Sequence, residues 1–438
     1  MKSLAPVIFA SVTTLFSVSA TALETSDVIE ARQHVFGAEN VNADTGDTPQ
    51  DKVIFSWLSA SSFAASVAGK VFMLDTYMTR QEIERGRTPL VVADLVNLNP
   101  EAILLGHGHG DHADNAAYIA AHTGAMIYAT EETCGTLQVD FERMLNDPLI
   151  MDYPDRRFPD GAKVNCTPVT STGSTPGTEV YRLPFLEPVA CTVAFRHMHS
   201  VAVDPDSDFP PTPVKIIVDE RDDYLFPGAV LQWPSWRNFP ENFEPVAGQF
   251  NTQTTPKSPG GNESLFFNFI LRDGSKFSFV YHNTAGALKE GKGRGWDGTP
   301  EDGQRIIGLL ETLGPTDVQL GTAATGNFDN NGLRDLIMYQ AAIQPKIYIP
   351  NHITTGSRAK EGSSISVYRG YLDQMDLMNV AKDDRPRLHW LVDPVDYIKP
   401  IVYHIDNPAW EDDAKEELTS SGYCAALDTE EIKKISLE

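Results

Sequence analysis

Short apolar runs separated by glycine, proline and aspartate punctuate the chain from residue 50 onward. Residues 52–58 and 66–74 read as paired strands around the turn Ala68-Gly69-Lys70, the second ending at Asp75. Residues 88–98 read as a short helix or turn. Residues 100–105 are a buried strand by their continuous apolar character, residues 115–122 a helix capped by Asp114 or Asn115, and residues 125–129 another strand. Strand, helix and strand in succession predict an α/β layer arrangement.

The later pattern extends that reading. Residues 140–190, rich in Pro, Asp, Thr and Gly, predict loops with short strands. Residues 192–200 form a strand in which alternation places Phe195, His197 and His199 on one face. Residues 263–271 and 277–281 are a hairpin around 272–275 and lead into His282-Asn283-Thr284. Residues 304–313 are a helix stopped by Gly314-Pro315, 317–321 a strand, 330–340 a helix, and 346–352 a strand ending at His352. Residues 26–34 predict one helix near the start. From about 357 a C-terminal extension carries a helix near 366–380 and strands near Leu388 and Ile401. Between about 201 and 262, Tyr224, Phe226, Trp233, Trp236, Phe239 and Phe243 alternate with prolines, marking an insertion that is either a packed surface layer or a wall of a substrate site.

Composition narrows the field of partners. Of 438 residues, 41% are hydrophobic and 22% charged, the balance of a globular chain. A formal charge of −25 disfavours nucleic acid and anionic membranes, while leaving room for a local basic pocket. Lys2, the apolar stretch after it and Ala20-Thr21-Ala22 have the order of a signal peptide over residues 1–22. An exported protein, periplasmic or secreted, is therefore expected, with residues 23–438 as a single catalytic domain and no membrane contact beyond the export signal. Export makes Cys134, Cys166, Cys191 and Cys424 disulfide candidates. Three pairings are open, and the Thr-, Gly- and Pro-rich loop between Cys166 and Cys191 favours closure of that pair. There is no P-loop, dinucleotide fingerprint or Gly-x-Ser-x-Gly elbow.

The chemistry lies in Leu105-Gly106-His107-Gly108-His109-Gly110-Asp111-His112-Ala113-Asp114, on the turn between strand and helix. Imidazole nitrogens and carboxylate oxygens are the ligands zinc accepts. Glycines between them remove side chains that would crowd an ion. His107 and His109 point one way from an extended segment, Asp111 and His112 another, toward a second ion.

This run resembles the His-x-His-x-Asp-His signature of the metallo-β-lactamase superfamily, and the likeness extends over roughly residues 51–352. It implies the αββα sandwich, two mixed sheets flanked by helices, with one or two Zn²⁺ at one edge between the sheets. It implies His107, His109 and either His199 or His197 around the first ion. His199 is favoured because the strand ends in His-Ser, as in relatives resembling the ascorbate-6-phosphate lactonases. Asp111, His112 and His352 are implied around the second ion. Asp75 matches an aspartate that braces the metal loops, although a strand-terminal cap reads equally well. Where many dinuclear relatives carry a bridging aspartate, this chain has Asn283. A hydroxide-bridged pair, a single zinc or recruitment of His282 would each answer that change. The implied activity is metal-assisted hydrolysis of a small molecule, with Asp111 as catalytic residue; overall acidity and the aromatic insertion lean toward a neutral or weakly charged ester, lactone or amide, with an ester or lactone carbonyl as the first choice. A β-lactamase or phosphodiesterase, and a metal-binding protein without turnover, are the alternatives.

Overall fold

The computed structural model describes residues 23–78, 90–210, 261–323, 331–353, 364–391, 396–426 and 431–437. The expected signal peptide and the aromatic part of the insertion lie outside the described residues.

The first half of the chain builds one sheet. Strands β1 (Lys52–Ser59), β2 (Ser62–Val67) and β3 (Lys70–Leu74) form an antiparallel meander, continued in parallel by β4 (Ala102–Leu104), β5 (Met126–Ala129) and β6 (Asn165–Pro168). The sequence suggests two strands where there are three. Residues 62–67 are small or aromatic and buried on both faces, so they show no alternation, and the chain turns twice, at left-handed Ala60 and Ala68.

The second half repeats the scheme. Strands β7 (Val180–Leu183), β8 (Ala190–Met198), β9 (Glu263–Leu271) and β10 (Ser278–His282) are antiparallel. After the small hairpin of β11 (Lys292–Gly293) and β12 (Trp296–Asp297), strands β13 (Val318–Thr322), β14 (Ile347–Asn351) and β15 (Arg387–Leu388) add in parallel to β10. The C-terminal part is woven into both sheets. Strand β16 (Pro400–His404) pairs with β1 and β17 (Lys433–Ile435) with β7.

The sheets face each other through aromatic rings: Phe55 lies 5.0 Å from Phe279 and Phe72 6.0 Å from Phe269, centroid to centroid. In β9 alternation divides the work. Leu265, Phe267, Phe269 and Leu271 enter this inter-sheet core, while Phe266 and Ile270 turn outward to Ile306, Leu310 and Tyr339 of helices Pro300–Glu311 and Gly332–Ile343. Burying one such phenylalanine contributes roughly 2–3 kcal/mol. Helices Thr25–Phe36, Val92–Asn97 and Ala116–Thr123 send Val35, Leu95 and Ile119 into the first sheet, completing the αββα sandwich. Helix Pro300–Glu311 starts before the expected Gln304 because Thr299 and Asp302 form a capping box and proline is tolerated in a first helical turn. Helix Glu131–Met144, not evident in the pattern, is capped by the Thr130 hydroxyl, which accepts from the Thr133 amide.

The disulfides correct the expected pairing. Cys134 joins Cys166, tying helix Glu131–Met144 to β6, and Cys191 of β8 joins Cys424. Cys166 and Cys191 lie in different sheets, so the loop between them is not closed by a bridge.

Candidate metal centre

Five strand ends meet at one edge of the sandwich. Asp75 follows β3, the histidine loop follows β4, His199 follows β8, Asn283 follows β10 and His352 follows β14. Strand β9 closes the arrangement from the other direction, its Leu265 N–H donating to the Gly106 carbonyl at 2.7 Å.

Three ring nitrogens converge in a first group. His107 Nε2 lies 2.9 Å from His109 Nδ1, and His199 Nε2 lies 3.2 Å from each of them. Nitrogens bound to one zinc at about 2.0–2.1 Å stand about 3.4 Å apart at a tetrahedral angle, so the triangle fits the faces of a single ion. The opposite nitrogens are matched to acceptors. His107 Nδ1 donates to Asn283 Oδ1 at 2.9 Å and His199 Nδ1 to the Ser200 carbonyl at 2.8 Å. Holding the proton there leaves a lone pair on each inward nitrogen. His109 Nε2 is buried with no hydrogen-bond partner among the described residues. Burial, reinforced by neighbouring imidazoles, keeps all three neutral near pH 7. It drives His107 well below the ordinary histidine value, His109 down to about 2 and His199 down to about 3.

The second group is Asp111, His112 and His352. Asp111 Oδ2 lies 3.3 Å from His352 Nε2, and its Oδ1 lies 3.7 Å from His112 Nε2. The two groups are adjacent, the rings of His107 and His112 being 4.0 Å apart. Burial alone would lower the His112 pKa, but the Asp111 and Asp75 carboxylates outweigh it and raise the value. Burial opposes ionisation of Asp111 too, yet His112 and His352 hold it well below the carboxylate range. One group is thus three neutral imidazoles and the other carries an anionic oxygen. Both are donor sets that suit a divalent cation.

Asp75 braces both groups. Its Oδ1 accepts from the Gly106 amide at 2.9 Å. Its Oδ2 accepts from His112 Nδ1, the Ser61 hydroxyl and Asn283 Nδ2, each at 2.7 Å. A carboxylate behind a histidine fixes the ring and its tautomer. Asp75 and His352 both hold positive φ, 54° and 61°. The His352 amide donates to the Ala60 carbonyl, which ties the last histidine to the β1–β2 turn.

Three expectations need correction. Asn283 does not stand between ion positions. Its oxygen is engaged with His107 and its nitrogen with Asp75, so it supports the ligands from behind. Gly106 makes this approach feasible, since a Cβ there would lie 2.3 Å from the Asn283 side chain. His282 is not recruited: Nδ1 faces the Thr284 carbonyl at 2.9 Å and Nε2 the Gln319 amide at 2.8 Å. Nor do His197 and His199 share a face. His199 lies beyond the last residue of β8 and turns to the loop, whereas His197 stays on the strand against Tyr339, 3.1 Å from its hydroxyl. Ser61 and the supporting position of Asn283 were not legible in the sequence; nothing local distinguishes a buried serine that contacts a histidine 51 residues away.

No family model matches the chain. A UPF0173 metal-dependent hydrolase of Thermodesulfovibrio yellowstonii is 38% identical over 76 residues, 17% of this chain and 27% of that protein. Another, of Sinorhizobium medicae, is 35% identical over 79 residues, 18% of this chain and 32% of that protein. The match therefore spans about a third or less of these curated relatives. Among solved structures, Igni18, a metallo hydrolase of Ignicoccus hospitalis, is similar over 80% of this chain and 98% of its own, with TM-score 0.39 and 12% identity. The metallo-β-lactamase fold protein YhfI of Bacillus subtilis is similar over 81% of this chain and 99% of its own, with TM-score 0.36 and 9% identity. The local sequence match is thus to metal-dependent hydrolases, and the two-sheet sandwich and the histidine loop are the features that the resemblance to the metallo-β-lactamase superfamily implied.

Proposed function

We propose that the protein is an exported zinc-dependent hydrolase that cleaves an ester or lactone carbonyl of a small molecule at the paired ligand groups. The observation that carries the reading is the juxtaposition of a neutral three-imidazole cluster with a second cluster holding an ionised carboxylate. His107, His109 and His199 would hold one ion, and Asp111, His112 and His352 the other. A zinc ion bound there lowers the pKa of water toward neutrality and polarises a carbonyl.

The chain's own residues supply the rest. Asn283, the Ser200 carbonyl and Asp75 keep the outer protons of His107, His199 and His112 in place, so the inward nitrogens remain basic. Asp111 is half-buried, and its Oδ1 has no hydrogen-bond partner among the described residues. It is placed to orient a water or carry a proton toward a leaving group. Asn283 carries no argument for a protein without turnover, because its amide serves the histidines and Asp75. The two disulfides suit an oxidising compartment and support export.

The test is a zinc-loaded sample assayed on a lactone, a nitrophenyl ester, a chromogenic cephalosporin and a phosphodiester, with zinc per chain measured in parallel. Turnover of the lactone or ester that a chelator abolishes and zinc restores is expected. Turnover confined to the cephalosporin or phosphodiester would replace the substrate class, and zinc-loaded protein inert on all four would overturn the hydrolase reading. Recovery of protein beginning at residue 23 from the cell exterior or periplasm tests export.

A further inference from the structure

His107 and His109 share one loop, whereas His199 reaches the first group across 92 residues, from the end of β8. The last register pair of β8 with β9 is Met198 with Glu263, and residues 200–206 beyond it belong to no strand or helix. Backbone N–H and C=O groups in such a segment lack ladder partners, so other groups must pair those that are buried. Two distant side chains do this here. The Ser200 amide donates to the Thr284 hydroxyl at 2.8 Å. Asn331 then spans the next residues: its Nδ2 donates to the Val201 carbonyl and its Oδ1 accepts from the Val203 amide, each at 3.1 Å. Between these anchors lies the Ser200 carbonyl, which accepts from His199 Nδ1 at 2.8 Å. An acceptor on the outer nitrogen fixes the ring and its tautomer, so whatever holds the Ser200–Val201 peptide also aims His199 Nε2.

Asn331 is itself held. It is 2% exposed, stands directly before helix Gly332–Ile343, and its Nδ2 also donates to Asp335 Oδ2. Arg334 in the same turn gathers three carboxylates: Asp335 at 2.7 Å, Glu290 at 2.6 Å and Asp206 at 2.8 Å. Asp206 lies at the far end of the segment that starts at Ser200, so the cluster pins that end as Thr284 pins the other. Arg334 and Asp335 are both buried. Ion pairs taken out of water regain little more than their desolvation costs, which makes this cluster a poor source of net stability. What it does fix is position, of Asn331 on one side and of Asp206 on the other.

We infer that Asn331 is a positioning residue for the first ion: it holds the segment after β8 so that the Ser200 carbonyl keeps His199 turned toward His107 and His109. This rests on the reading of those three imidazoles as a metal site and deepens it, because it traces the aim of the third ligand to a side chain on another element.

The experiment measures zinc dissociation constants of wild type, Asn331→Ala and Thr284→Val by competition with a chromophoric chelator. His199→Ala and His352→Ala mark which constant belongs to which group. Thr284→Val nearly keeps the side-chain outline while removing the acceptor of the Ser200 amide, so it tests the same route should Asn331→Ala not fold; urea unfolding of the metal-free proteins reports folding. Both variants are expected to weaken the first ion by about 10- to 100-fold, the range for groups that orient a metal ligand, and to leave the second ion within twofold of wild type. A merely structural role would weaken both ions alike, and that result overturns the inference. So does a first constant within twofold of wild type in Asn331→Ala, or in Thr284→Val if Asn331→Ala does not fold.

Because the readout is metal binding, it separates this inference from failure of the hydrolase reading. Selective weakening of the first ion in proteins that turn over no ester would sustain the positioning role and remove the activity. A wild type with no zinc that His199→Ala displaces would remove the metal site and the inference together.

Discussion

Replacing Asn283 by aspartate probes the layer that holds the ligands. Asn283 Nδ2 donates to Asp75 Oδ2 at 2.7 Å, and both residues are buried. An aspartate would put a carboxylate oxygen where that amide nitrogen stands. Burial works against the Asp75 charge, yet His112, Asn283 and the Gly106 amide hold its pKa below the ordinary value, so it is ionised. Two negative charges about 3 Å apart repel by roughly 5 kcal/mol at an effective dielectric constant near 20, or about 4 pKa units. The pair escapes by sharing a proton, which also preserves the hydrogen bond. The folded pKa of the introduced acid then lies above its unfolded value of about 3.9. Stability relative to wild type is consequently intact below about pH 4 and lost by roughly 1.4 kcal/mol per pH unit up to about pH 8, where the shared proton leaves. Urea unfolding of chelator-treated protein at pH 5, 6, 7 and 8, followed by tryptophan fluorescence, measures this directly. A deficit constant to within about 1 kcal/mol across that range would refute the reasoning. Because Asn283 stands behind the ring nitrogens, zinc per chain in the same variant is expected to match wild type.

Gly106→Ala forces a methyl group to within 2.3 Å of the Asn283 side chain; overpacking of this kind is expected to lower stability by about 1–3 kcal/mol and to weaken zinc binding, read from thermal melts and zinc titration. His199→Ala should remove zinc from the first group, while His197→Ala, which removes a buried ring packed against Tyr339, Phe266 and His282, should keep the zinc content; equal loss in both would contradict the assignment. Reduction opens bridges between residues 32 and 233 positions apart, for which chain entropy predicts about 4 and about 5 kcal/mol respectively. Melts with and without reductant test this, and an unchanged melting temperature would refute it.

Most of the candidate ligand set is legible in the sequence because it is local. His107, His109, Asp111 and His112 fall within six residues on a strand-to-helix turn, and that spacing is itself the signal. The apolar run over 263–271 likewise marked one arm of a hairpin, and the apolar run before His352 delivered that residue to a strand end. What the one-dimensional pattern could not contain was register between distant strands. His199 meets His107 across 92 residues, and Asn283 meets His107 across 176. Whether His197 or His199 joins the first group depends on where β8 ends. Whether Asn283 faces an ion or Asp75 depends on how closely Gly106 lets two loops approach. The same holds for the Cys191–Cys424 bridge, which joins a strand of the second sheet to the C-terminal segment. Local spacing and hydropathy record which side chains can bind metal and which must be buried; only the packing of the two sheets decides which of them reach the same point in space.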